Sequence, residues 1–225
     1  MVTTKAPGAA QYLPEDRGLE SLQAAASCCQ GCSLYENASQ TVFGNGRADA
    51  PIMLVGEQPG DREDVEGLPF VGPAGRLLAR ALGEANIDPD LTYQTNAVKH
   101  FKFSRKIGKR RIHQKPSRTE VVACQPWLFA EIDALRPQVI VCLGATAAQS
   151  LLGAAFRVST HRGEVLRLPA EIGIQLRPEP AVVATVHPSA VLRDRSDRRD
   201  EAYRALVDDL RSAGAAGKAA GKKRA

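Results

Sequence analysis

The chain has 225 residues, 44% of them hydrophobic. That is enough for one sizeable core, and alternating strand and helix patterns predict a single α/β domain rather than two. No apolar stretch approaches the roughly 20 residues a bilayer span needs, and the N-terminus lacks the charged start, apolar run and cleavage site of a secretion signal, so a cytoplasmic protein with no membrane role is expected. The net charge is +5, and its distribution is uneven. Of 30 Lys and Arg, nine fall between Lys99 and Arg118, a stretch without Asp or Glu, leaving 21 against 25 acidic residues elsewhere. A localised patch of this kind suits phosphate contact, although a solvated charge run reads the same way.

In chain order, residues 1–16 are small, polar and Pro-containing and are expected to be flexible. A short helix over 18–27 leads into Cys28-Cys29-Gln30-Gly31-Cys32. The run 51–56 reads as a buried strand opening into a loop over 57–72, followed by a helix over 75–85 with Leu77, Leu78, Ala81 and Leu82 on one side. A second strand over 92–98 precedes the basic loop. Ser117-Arg118-Thr119-Glu120 has capping-box spacing, predicting a helix to about Leu135 before Pro137. A third strand over 139–143 gives way to a helix at Gly144, and a fourth over 181–186 ends at His187-Pro188-Ser189. A final helix over 200–212 completes the folded domain, 17–212, and the Ala/Gly/Lys tail 213–225 is expected to be disordered and basic. The pattern implies a mainly parallel four-stranded sheet.

Ligands of such sheets bind beyond the carboxyl ends of the strands. Glu57 to Asp61, Asn96 to His100 and His187 to Ser189 all follow strands, so they are expected to converge on one cleft.

Gly56-Glu57-Gln58-Pro59-Gly60-Asp61 with Gly67-Leu68-Pro69-Phe70-Val71-Gly72-Pro73-Ala74-Gly75 resembles the first motif of the iron-sulfur uracil-DNA glycosylases, and His187-Pro188-Ser189 resembles their second. The resemblance extends over roughly 29–210. Within it, Gln58, where family 4 members usually carry Ala, and the insertion Lys109-Arg110-Arg111-Ile112-His113-Gln114-Lys115-Pro116-Ser117 resemble the X-type branch, UdgX. The implied fold is a three-layer α/β/α sandwich. The implied activity is excision of uracil from single- and double-stranded DNA by a monomer, followed by a covalent bond between His113 and C1′ of the exposed sugar.

The resemblance also distributes roles. Phe70 stacks on uracil, Asn96 pairs with its edge, and His187 donates to a uracil carbonyl and stabilises the leaving anion, as charge separation at the glycosidic bond requires. His113 is the nucleophile. Glu57 accepts a hydrogen bond from one imidazole nitrogen, leaving the other free to attack. Gln58 and Asp61 position the sugar or a water, and Lys109, Arg110, Arg111 and Ser189 contact DNA.

Five cysteines in a reducing compartment imply metal or core roles rather than disulfides. Cys29, Cys32 and Cys124 resemble the family's cluster ligands. His100 stands where the family's Val-Lys-Cys segment has Cys, so a [4Fe-4S] cluster on three Cys and His100 is expected; structural zinc suits the same set. Cys142, in an apolar run, reads as core. An ordinary turnover glycosylase and a non-catalytic DNA-binding module are the competing readings, the latter disfavoured by the joint presence of Glu57, Phe70, Asn96 and His187.

Overall fold

The computed structural model describes residues 7–105, 111–174 and 176–221. The elements, in chain order, are α1 (Leu19–Ala26), β1 (Asn45–Gly46), β2 (Ile52–Gly56), α2 (Asp61–Glu66), α3 (Pro73–Glu84), β3 (Thr92–Asn96), β4 (Phe103–Arg105), β5 (Arg111–His113), α4 (Arg118–Leu135), β6 (Val139–Leu143), α5 (Ala145–Leu152), α6 (Val158–His161), β7 (Val165–Leu166), β8 (Ala181–Thr185), α7 (Pro188–Arg193) and α8 (Arg199–Gly221).

The main sheet has the order β1-β3-β2-β6-β8-β7. Its centre, β3-β2-β6-β8, is parallel, and two-residue antiparallel strands β1 and β7 extend each edge. The four expected strands are thus present, and the two short edge strands were not anticipated because two residues carry no periodicity. Side chains alternate across the sheet as a period of two requires. Met53, Val55, Ile140, Cys142, Val182 and Ala184 pack with Leu128, Ile132 and Leu151 of α4 and α5. Ile52, Leu54, Val139, Val141 and Val183 pack with Leu78, Leu82, Val191, Leu206 and Leu210 of α3, α7 and α8. These are the two outer layers of an α/β/α sandwich.

A third apolar cluster joins the N-terminal segment and α1 to α4 around Trp127, Phe43, Cys29, Cys32 and Cys124. It corrects the expectation of a flexible start for residues 7–16. Ala9 is buried, and the Gly8 N–H donates to Gly31 O at 2.9 Å. A Cβ on Gly31 would lie 2.7 Å from the Gly8 carbonyl carbon, so the glycine between Cys29 and Cys32 admits the incoming chain. Residues 1–6 lie outside the described residues.

The tail is likewise corrected as far as Gly221, because α8 continues past Ser212. Ala213 is fully buried, Gly214 faces Ile87 and Gly217 faces Val139. Composition suggested disorder, yet Ala is the best helix former, and these small residues let the helix lie close against the sheet.

Candidate active site

The three strand ends do converge. Gly56 closes β2, and a Cβ there would meet Asn96 Oδ1 at 2.3 Å and Phe70 Cζ at 2.8 Å. Asn96, the last residue of β3, is 3% exposed, and its side-chain amide has no hydrogen-bond partner among the described residues. Phe70 sits at φ 57, a left-handed conformation costly for an aromatic residue. The surrounding loop imposes it. Glu63 accepts from Gly60 N at 3.1 Å and Gly72 N at 2.8 Å, pinning both ends of the loop. Gly75 permits α3 to start where any Cβ would lie 1.6 Å from the Phe70 carbonyl oxygen. The Phe70 ring then faces that of His187, with centroids 6.4 Å apart and planes 25° apart.

His187 caps α7. Its Nδ1 accepts from Ser189 N at 3.1 Å and lies 2.8 Å from Ser189 Oγ. Because Nδ1 accepts a backbone N–H, the proton of the neutral ring resides on Nε2. Burial, followed by the charge of Arg193 and the proximity of His113, pushes its pKa down to about 4, so a neutral Nε2–H donor prevails. Ser189, expected to contact DNA, thus also holds this ring.

The inserted segment forms a two-stranded hairpin, β4 with β5, in which His113 lies opposite Phe103. Its docking differs from expectation. Arg111, expected to hold a phosphate, is engaged with Asp61 and with fully buried Asp64, and lies over the rings of Phe101 and Phe103 at 5.5 and 5.1 Å. Asp61 is accordingly the partner of Arg111. Asp64 also accepts from Ser39 N at 3.0 Å. Lys109 and Arg110 lie outside the described residues.

Gln58, 6% exposed, receives the other side of the hairpin. Its Oε1 accepts from Lys102 N at 3.0 Å, so its NH₂ is the group that donates to Gln114 O at 2.9 Å and meets His113 Nε2 at 2.9 Å. The histidine nitrogen facing an NH₂ must accept, which leaves the lone pair of the neutral ring on Nε2 and the proton on Nδ1. Glu57 Oε1 is 3.7 Å from the same Nε2, within Coulombic reach but beyond a hydrogen bond. The hydrogen bond expected from Glu57 therefore belongs to Gln58, and Glu57 is held by the hydroxyl of Thr146. Burial, opposed by Glu57 and aided by Arg193, lowers the pKa of His113.

Sequence reasoning missed Thr146, Asp64 and Glu63. Thr146 had a signal, since it follows Gly144 at the carboxyl end of a parallel strand. Glu63 had one too, standing three residues after Gly60 at the third position of a helix; Asp64 had none, because Ser39 and Arg111 are remote in sequence.

A match to a family model described as the uracil DNA glycosylase superfamily spans residues 43–211. The chain belongs to the uracil DNA glycosylase superfamily. It is 36% identical to a type-4 uracil-DNA glycosylase of Thermotoga maritima over 82% of this chain and 87% of the relative. Proteins of the same name from Pyrobaculum aerophilum (34% identity; 78% and 85% covered) and Archaeoglobus fulgidus (36%; 73% and 78%) are similarly close.

A second constellation is built around cysteines. Cys29, Cys32 and Cys124 share one apolar cluster. Burial pushes the Cys124 thiol up to about 12, with Cys32 and Cys29 adding to the rise. Trp127 Nε1–H donates to Cys29 Sγ at 3.2 Å, and Lys99 N–H donates to Cys124 Sγ at 3.3 Å. Buried His100 places Nε2 2.9 Å from Thr41 Oγ1, whose own proton goes to Ala26 O. The hydroxyl must then accept, so His100 carries its proton on Nε2 and its lone pair on Nδ1. Among the described residues, no three His, Cys, Asp or Glu side chains are assembled closely enough to form a metal-binding group. Cys142 is fully buried in the sheet core, as expected.

Proposed function

We propose that the chain excises uracil from DNA and is then captured on that DNA by His113, as an X-type glycosylase. The observation that carries the reading is His113 Nε2, lone pair outward from the ring, held 2.9 Å from the Gln58 amide and 3.7 Å from Glu57 beside the Phe70, Asn96 and His187 cluster.

Uracil, flipped from its strand, stacks on Phe70 and pairs with the free amide of Asn96. The N1–C1′ bond breaks with its electron pair going to uracil, whose developing anion His187 stabilises through Nε2–H. Glu57 stabilises the cation left on the sugar. His113 Nε2 exchanges the Gln58 N–H for C1′ and forms the new N–C bond; the resulting imidazolium releases its Nδ1 proton to solvent, and the uracil anion takes one up. Held within the site, the imidazole outcompetes water, since positioned groups reach effective molarities of about 10⁵ M or more.

The test mixes protein with a uracil-containing single-stranded oligonucleotide and with its thymine counterpart on a denaturing gel. A band resistant to boiling detergent, confined to uracil and lost in His113→Ser with uracil still released, is the expected result. A comparable adduct in His113→Ala removes His113 as nucleophile. A free abasic product from the unmodified protein marks ordinary turnover, and unchanged DNA marks a binding module.

Cys29, Cys32, Cys124 and His100 through Nδ1 would hold a [4Fe-4S] cluster. The shared apolar setting and the N–H donors on two sulfurs support this, since such hydrogen bonds tune thiolate ligands. When bound, the cluster would cross-link three chain segments. A brown protein that keeps its iron in His100→Cys and loses it in His100→Ala is expected; a colourless protein with stoichiometric zinc overturns the assignment.

A further inference from the structure

A cavity of about 550 Å³ opens between the start of α4 and the α5 region, lined by Val121, Val122, Leu151, Leu152 and Ile172, with Lys115 and Arg118 at one side. This is within the roughly 300–1,000 Å³ usual for sites that enclose a small molecule. Three features say what occupies it. First, Lys115 and Arg118 are exposed, and neither makes an ion pair or hydrogen bond among the described residues, against one lining carboxylate, Glu171. Second, Thr146 lines the cavity and is the residue whose hydroxyl holds Glu57, so cavity and reaction site share a wall. Third, Gln125 and Gln149 donate their amide N–H groups to Ser150 O and Phe156 O, so each keeps a carbonyl oxygen as acceptor for a base edge.

Resting on the glycosylase reading, we propose that this cavity receives an unstacked nucleotide next to the target uracil, its base against the apolar wall and its phosphate between Lys115 and Arg118. A neighbouring base in a duplex is stacked and paired and does not enter. The cavity is therefore a subsite for single-stranded DNA, whose splayed bases seek apolar platforms beside cationic grooves.

The test measures uracil release from single- and double-stranded oligonucleotides for Lys115→Glu/Arg118→Glu and for the filling variant Val122→Trp. On single strands, the second-order rate constant for uracil release under single-turnover conditions should fall by about tenfold with the rate at saturating protein retained, as removal of binding common to ground and transition states predicts. Double-strand kinetics should hold. The slope of log affinity against log salt for single strands should shrink by about 0.7, the value for one neutralised phosphate. Replacing the flanking nucleotide with an abasic spacer should abolish the penalty of Val122→Trp. Equal losses on both substrates, or none, overturn the subsite; none on DNA together with specific capture of a protein partner assigns the groove to that partner. If the protein releases no uracil at all, the glycosylase reading has failed instead, and the same variants are read by fluorescence anisotropy on an undamaged single strand, where unchanged affinity overturns the subsite independently.

Discussion

A Cβ at position 56 would enter the space held by Asn96 Oδ1 and Phe70 Cζ, so one methyl group displaces both side chains that are proposed to read uracil. Gly56→Ala should lower uracil release by about a hundredfold while costing only about 1–3 kcal/mol of stability, the usual toll of overpacking; kinetics and thermal melting on the same sample check this. A variant whose activity and melting temperature both match the parent would mean that the pocket yields freely. The histidines add a pH signature. His187 has its pKa pushed down to about 4, and that of His113 is lowered by burial. Both rings stay neutral below the ordinary value of 6.5, so adduct formation should be flat through neutrality and decline only in more acid solution. A rate that halves near pH 6.5 would show an unshifted nucleophile.

Among the elements, the β4–β5 hairpin depends most on contacts invisible along the chain. It is tied down by Arg111 on Asp61 and Asp64 and by Gln58 on Lys102 and Gln114. Arg111→Ala leaves Asp64 buried without its cation, and the hairpin should undock. Adduct yield per uracil released should fall by about tenfold, roughly 1.4 kcal/mol of lost positioning, whereas excision itself should persist. If excision collapses in parallel, the hairpin shapes the uracil pocket as well. The central strands were legible because parallel β strands are continuous apolar runs, and the convergence of Glu57, Asn96 and His187 followed from the strand-end rule. The engagement of Arg111 was not legible: a run of nine cations shows no partners when the partners stand fifty residues earlier. Nor could the sequence separate Gln58 from Glu57 as the histidine's neighbour, since adjacent residues differ only in where a loop turns them. The contact of Ser189 with the His187 ring was not legible either, because a serine beside a histidine looks the same whether or not it serves the ring.

Across the whole molecule, a single buried network binds the cleft to the cysteine cluster. Lys99 Nζ is engaged with Glu131, donates to Asn96 O at 2.8 Å and to Thr95 Oγ1 at 2.7 Å, and its backbone N–H holds Cys124. Glu131 also accepts from Tyr93 and Gly44 N. Lys99→Met strands a carboxylate at zero exposure, and a loss of about 3–5 kcal/mol is expected, read as a drop in the denaturant midpoint. Stability should also depend on pH. Because the folded pKa of His187 lies below its unfolded value of 6.5, the unfolded chain binds the proton first. Stability is then complete above that value and declines toward pH 4, at up to about 1.4 kcal/mol per pH unit for one proton; His187→Gln should remove that component of the slope.

The hairpin's anchorage has one more consequence, for how such a chain can change. Phe103 and His113 pair at the base of the hairpin, where Gln58 holds the histidine, and Asp61 and Asp64 hold Arg111 at the other end of the ladder. The connection from Arg105 to Arg111 is thus a closed loop whose ends are already fixed. Doubling its length costs only about 0.6 kcal/mol of closure entropy, so His113 can keep its place while that connection is lengthened, shortened or replaced. Chemistry and reach can be altered independently of one another.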